Sequence, residues 1–284
     1  MSLAPDFVVR NRKGTSITIR RSLAQDSIVD LLADADHFFS LPGCEIIKDQ
    51  RKIKVARIKL VLGGQRSTVY VKRYNAFSWR YRLSSLFQRS DAVQALKGAD
   101  ILAQAGIGVS RPLAATETRS CGMLTKSFFL SEEIAGGKTA DAYWRDQLAV
   151  CSGKAGMRQR RRFLQNLAAL FALLHQKRIY HDDLKDANIM VATGAEKGED
   201  LFLLDFERLR TGKALTLRRR VKNLAQLNRT FGRHISATQK LYLLRSYLGA
   251  DFFDDGKKRA WVQRILHASR RGDRRSLRRM RRTA

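Results

Sequence analysis

One constellation constrains this chain more than any other: Tyr180-His181-Asp182-Asp183-Leu184-Lys185-Asp186-Ala187-Asn188-Ile189-Met190-Val191, followed by Leu201-Phe202-Leu203-Leu204-Asp205-Phe206-Glu207. Ile189 to Val191 and Leu201 to Leu204 are short apolar runs on either side of the polar stretch 192–200, a pattern that predicts a β-hairpin. In a hairpin the start of one strand neighbours the end of the other, so Asn188 and Asp205 are brought together with Asp183 on the loop just upstream. An amide and two carboxylates then converge at one edge. They offer oxygen ligands suited to magnesium and a carboxylate able to accept a hydroxyl proton. The competing reading, in which Asp and Asn merely shape turns, would win for an isolated Asp-x-x-x-x-Asn. It loses weight here because the loop carboxylate, the amide, the apolar strands and Asp205-Phe206 occur together as one multi-part pattern rather than singly.

The remaining sequence frames this loop. Residues 7–23 read as two short strands turning at Lys13-Gly14, and Asp26 is placed to N-cap a helix through Ile28, Leu31, Leu32 and Phe38. Residues 45–47, 52–62 and 67–74 read as three strands joined by a basic turn at 48–51 and a tight turn at Gly63-Gly64. Period-two alternation aims Val69 and Val71 at one face and Tyr70, Lys72 and Tyr74 at the other. An aromatic and basic stretch at 77–89 precedes a helix at 91–104, and 127–130 reads as a strand. Beyond Gly136-Gly137 the chain becomes mainly helical, with helices expected at 163–175, 218–231, 238–248 and 257–269. The implied fold class is α+β with two lobes, a small antiparallel sheet and a mainly helical lobe. The expected domains are an N-terminal extension at 1–42 (strand hairpin and helix), a first lobe at 43–134, a second lobe with the catalytic loop at 135–260, and a basic C-terminal tail at 261–284.

Charge narrows the partners. Among 284 residues, 55 Lys and Arg stand against 26 Asp and Glu, a formal +29. A field of that size points to a polyanion: nucleic acid, an anionic membrane face or a phosphorylated glycolipid. Cys44, Cys121 and Cys151 show neither Cys-x-x-Cys nor zinc-ligand spacing, which argues against a disulfide framework or a structural metal. Together with the absence of an apolar leader or spanning run, this makes a cytoplasmic location the expectation.

Three stretches resemble the protein-kinase-like superfamily and, within it, the lipopolysaccharide core kinases of the Kdo and heptose kinase (Kdo/WaaP-type) family. They are Val69-Tyr70-Val71-Lys72-Arg73-Tyr74, residues 179–191 with 203–210, and the basic run 218–229. The resemblance implies ATP and Mg2+ as cofactors, with Asp183 as base for the acceptor hydroxyl and Asn188 and Asp205 as magnesium ligands. It implies that Lys185 steadies the transferring phosphoryl group and that Lys72 meets the ATP phosphates. Lys48 and Arg51 of the basic turn, and Glu132 and Ile134 beside the lobe boundary, complete the nucleotide-binding set. His181 reads as a packed residue of the loop, because the carboxylate already fills the base role.

The match is incomplete. No Gly-x-Gly-x-x-Gly precedes Lys72, the helix after it offers only Asp91 and Asp100 as carboxylates, Glu207 stands where many protein kinases have Gly, and Asp182 replaces the usual Arg. The leading reading is transfer of the ATP γ-phosphate to a heptose or Kdo hydroxyl of the lipopolysaccharide inner core. The enzyme would be cytoplasmic and peripheral to the inner membrane, with the anionic glycolipid and anionic membrane surface as partners. A protein kinase is less favoured, since only 79 residues follow Asp205 and no Ala-Pro-Glu segment is present. A cationic drug acceptor would be repelled by the basic surface. A catalytically silent kinase-fold module that binds nucleic acid or membrane stays open, supported by the arginine pairs of 270–282.

Overall fold

In the computed structural model, which describes residues 6–76, 78–194, 198–212 and 215–283, the chain divides into a first unit of 1–104 with 109–134 and a second of 105–108 with 135–284. Three hairpins of the first unit turn on residue pairs with positive φ at both positions: Lys13-Gly14, Gly63-Gly64 and Cys121-Gly122. Such turns match the right-handed twist of the strands they join. They connect β1 (Phe7–Arg12) to β2 (Thr15–Arg20), β4 (Ile53–Leu62) to β5 (Gln65–Asn75), and β7 (Pro112–Ser120) to β8 (Met123–Glu132). With β3 (Glu45–Asp49) these strands form one seven-stranded sheet in the order β1-β2-β7-β8-β5-β4-β3, and every neighbouring pair is antiparallel.

Alternation decides which residues the sheet buries. Ile17, Ile19, Ile58, Val69, Val71, Phe128 and Leu130 join Ile28, Val29 and Leu32 of α1 (Asp26–Ala33), and Phe38 from the 3-10 turn that follows, in one apolar cluster. Beyond α2 (Trp79–Ser84), α3 (Asp91–Gln104) packs on β5, β7 and β8. Its buried Ala92, Ala95 and Ala99 allow close approach. The sequence sets 1–42 apart as an extension; instead β2 pairs with β7 and α1 fills the shared core, because Ile17 and Ile19 find their apolar partners there. Asp26 is the first helical residue rather than the cap, which is Gln25.

The second unit includes Gly108, which opens β6 (Gly108–Val109); a Cβ there would sit 2.5 Å from the Leu201 carbonyl oxygen, so only glycine fits. Then come β9 (Lys138–Thr139), α4 (Ala140–Tyr143), α5 (Gly153–Gln176), β10 (Tyr180–His181), β11 (Ile189–Gly194), β12 (Gly198–Leu203) and β13 (Leu209–Arg210). Helices α6 (Leu217–Thr230), α7 (Ala237–Leu248) and α8 (Asp255–Thr283) complete it, with α7 on α5 and α8 on α6. Its aromatic centre is Trp144, Phe163 and Phe231, with the Trp144 and Phe231 rings edge-on at 5.4 Å. Glu199 of β12, whose side chain is 1% exposed, accepts from Arg162, Asn166 and Tyr143 and so fastens the hairpin to α5.

The tail boundary expected at residue 261 falls inside α8. Trp261 is buried, edge-on to Tyr247 at 5.9 Å, and the helix runs on through the arginine pairs as one element. Phe77 and residues 195–197, which belong to the expected basic stretch and hairpin turn, lie outside the described residues, as do Ala284 and the side chains of Arg279 and Arg282. Among the described residues, no helix is long and apolar enough to cross a membrane.

Candidate catalytic loop

The hairpin forms with the expected pairing. Ile189 lies opposite Leu203, and the Asn188 carbonyl accepts the Leu204 amide at 2.9 Å, which sets Asp205 one residue beyond Asn188's partner. Upstream, β10 pairs with β13, fixing both ends of the loop to the same neighbourhood.

His181 pins this geometry. Its ring is 1% exposed; Nδ1 accepts the Asp183 amide at 3.2 Å, which leaves Nε2 to donate to the Leu204 carbonyl at 3.0 Å. Burial holds its pKa below the ordinary value, so the neutral ring is a peg between loop and hairpin. Asp183 keeps its side chain 58% exposed, and its Oδ2 accepts from Lys185 Nζ at 2.7 Å. Asn188 is buried and donates Nδ2 to the Asp183 carbonyl at 2.7 Å. That orientation leaves Oδ1 with no hydrogen-bond donor among the described residues. Asp205 is exposed and held in the left-handed region at φ 55°, ψ 46°, a conformation costly for most side chains and concentrated at functional sites. An uncommitted amide oxygen and a carboxylate, brought together by one hairpin, are a hard-oxygen donor set that fits magnesium.

Helix α6 backs the loop with residues that the sequence reading passed over. Asn223, with 0% exposure, donates to the His181 carbonyl at 2.7 Å; Gln226 donates to the Asp182 carbonyl at 2.7 Å; Thr230 Oγ1 accepts the Asp186 amide at 3.3 Å. These positions are spaced i, i+3 and i+7, one face of the helix. Their spacing is a readable signal, although the surrounding arginines make the run look like a solvated face. Lys222 and Arg210 reach the Asp182 carboxylate at 3.0 and 3.7 Å. Burial alone would raise that carboxyl, but the two cations outweigh it and hold it below the usual range.

Behind Asn223 lies a buried relay. Arg220 Nε donates to the Tyr247 hydroxyl oxygen at 2.7 Å, so the hydroxyl proton goes to His175 Nδ1, also at 2.7 Å. His175 Nε2 then donates to Asn223 Oδ1 at 3.3 Å. Burial chiefly pushes the His175 pKa down to about 4. Asp141, Asp186 and His234 form a separate group of three ligand atoms within 4.8 Å of one another, though Asp186 Oδ1 already accepts the Ala187 amide.

The other expected site residues belong to the first unit. Lys72 lies on β5 between Val55 and Phe129, with Nζ 5.1 Å from the Tyr74 ring centroid. Lys48 of the edge strand β3 also pairs with Val55, so Lys48 and Lys72 share one cross-strand row and one face. Arg51 sits in the turn and accepts through its carbonyl from Asn75. Glu132 ends β8, paired with Arg111 at 3.0 Å, and Ile134 closes the unit. Of the two carboxylates on α3, Asp91 accepts from Tyr81 and Asp100 from Gln104.

Residues 49–247 match the model of the lipopolysaccharide kinase (Kdo/WaaP) family. No curated protein matches the chain. Among solved structures the chain resembles one described as WaaP in complex with acyl carrier protein, with a TM-score of 0.60 and 19% identity over 86% of this chain and 97% of that one. This likeness bears out the expected α+β, kinase-like fold. The chain is a phosphotransferase of the kinase type, and it belongs to the lipopolysaccharide kinase (Kdo/WaaP) family.

Proposed function

We propose that the chain transfers the γ-phosphate of ATP, in the presence of magnesium, to a heptose or Kdo hydroxyl of the lipopolysaccharide inner core at the cytoplasmic face of the inner membrane. The observation that carries the reading is the loop itself: an exposed Asp183 carboxylate held beside Lys185 at 2.7 Å, with Asn188 and Asp205 joined through one hairpin, all inside the family-matched segment.

Each residue has a defined task in this reading. Asp183 accepts the proton of the acceptor hydroxyl as the oxygen attacks phosphorus, and its exposure leaves room for that hydroxyl. Lys185 offsets charge on the transferring group while orienting the Asp183 carboxylate. Asn188 Oδ1 and the Asp205 carboxylate would hold magnesium, which, when bound with the nucleotide, neutralises phosphate charge and aligns the leaving group. Lys72 is assigned to nucleotide phosphates on the family resemblance, Lys48 and Arg51 to the same phosphates as cations of a turn without a Gly-rich loop, and the backbone around Glu132 and Ile134 to the base. The formal +29 suits an anionic glycolipid and the anionic surface that presents it.

The test is phosphate transfer from labelled ATP to purified inner-core acceptors carrying Kdo alone or Kdo with heptose, followed by mass analysis of the product. A magnesium-dependent gain of one phosphate on a sugar supports the reading. Absence of transfer to both acceptors, with transfer to a protein substrate instead, would replace it by the protein-kinase alternative.

A further inference from the structure

Helices α6 and α8 face each other across a groove of about 1330 Å³, larger than most small-molecule pockets and with a single carboxylate, Asp182, in its lining. On α6, Arg218 and Lys222 are one turn apart; on α8, Arg264, Arg271, Arg275 and Arg278 recur at i, i+7, i+11 and i+14, one stripe of the helix. All six are exposed. Among the described residues the five arginines have no carboxylate within ion-pair distance, while Lys222 pairs with Asp182.

The groove is built rather than incidental. Arg229 of α6 crosses to α8, donating to Asp273 at 2.7 Å and to Ser276 at 2.8 Å. It can lie there because position 272 is glycine: a Cβ would fall 2.6–2.8 Å from the guanidinium. A glycine inside a helix costs about 1 kcal/mol relative to alanine, and here the space it leaves is filled by that guanidinium. At the other end Gln226 and Lys222 hold Asp182, the residue before Asp183.

We infer that this groove binds the phosphate- and carboxylate-bearing part of the acceptor glycolipid, so that α8 recognises acceptor rather than serving as a membrane tether. The inference rests on the proposed function for the acceptor's identity. Two features favour an acceptor over a lipid surface or a nucleic acid: the arginines line a concavity instead of a flat face, and the concavity leads to the residue adjoining the base. Guanidinium groups in such an array match phosphate and carboxylate oxygens.

The test uses the full chain and a deacylated, phosphorylated core oligosaccharide, which is water-soluble and carries no lipid. The double variant Arg271→Gln/Arg275→Gln should raise the acceptor KM at least about tenfold while leaving kcat and the ATP KM within twofold. Enzymatic removal of the oligosaccharide's phosphates should narrow the difference between wild type and variant, since only its carboxylates then remain for the arginines. Calorimetric binding of the same oligosaccharide to Asp183→Ala, with and without the arginine pair, reads the groove independently of turnover. An unchanged acceptor KM, accompanied by lost sedimentation with phosphatidylglycerol-containing vesicles, overturns the inference in favour of a tether. Failure of the wild-type chain to bind the oligosaccharide overturns it outright. Binding through the groove without phosphate transfer leaves the groove standing and removes the proposed function instead.

Discussion

Asn223 Nδ2 donates to the backbone carbonyl of His181 from a position with no solvent exposure, so a side chain of α6 holds the first residue of the catalytic loop. Removing it strands a buried carbonyl and the His175 ring together. Asn223→Ala should therefore destabilise the second unit by about 1–3 kcal/mol. It should lower kcat more than it raises the nucleotide KM, because Asn223 positions the loop that carries Asp183. Urea unfolding midpoints combined with steady-state kinetics check both halves.

The buried histidines give the fold a pH signature. His175 titrates at about 4 in the folded chain against 6.5 for an ordinary histidine, so between those values the unfolded state binds more protons. Stability should thus rise with pH across the window from about 4 to 6.5, be lost as pH falls through it, and be flat from this group above it. His181, also held below its usual value, adds to the same sign. Unfolding midpoints measured from pH 7.5 down to 4.5 should fall, and His175→Gln should show a shallower slope than the wild type.

Asp183→Ala should cut turnover by about 10²–10⁴-fold, the usual contribution of a positioned base, while binding of Mg-ATP persists. Lys185→Ala should fall between this variant and the wild type, since it frees the Asp183 carboxylate without removing it. Single-turnover kinetics with nucleotide-binding titrations separate the two. Near-normal turnover by Asp183→Ala would take that residue out of the mechanism.

Asp205 occupies a left-handed backbone conformation, and replacement there divides stability from function. Asp205→Gly adopts this conformation without a Cβ penalty and should stay folded, yet abolish magnesium-dependent activity. Asp205→Asn tolerates the conformation and should keep the wild-type melting temperature with weakened magnesium dependence. Calorimetry and a magnesium titration of activity provide the check.

The catalytic hairpin was legible because two short apolar runs flank one polar turn and are bordered by the residues that matter, so local pairing alone sets Asn188 beside Asp205. Asn223, Gln226 and Thr230 share a readable helical spacing, but their partners are backbone carbonyls and an amide some 40 positions earlier, which no local pattern identifies. Strand β7 escaped notice because Pro112 to Thr116 are all buried, so both faces are covered and no polar-apolar alternation marks the strand. The expected break near 42 followed the Pro42-Gly43 turn before a second strand-rich stretch, and the one near 261 followed the rise in arginine. The chain ignores both: Ile17, Ile19 and Trp261 are buried with neighbours from the adjoining unit sequence, and burial rather than charge decides what folds together.

Two arginine-bearing helices packed side by side repel each other, and the contacts of Arg229 with Asp273 and Ser276 offset only part of that. Any polyanion lodged between them discharges the repulsion, and what binds only the folded form stabilises it by mass action. Ligand in the groove and stability of the two helices are then thermodynamically linked. With the acceptor proposed above as that polyanion, its addition should slow proteolysis of the full chain, and the Arg271→Gln/Arg275→Gln variant should lose that protection.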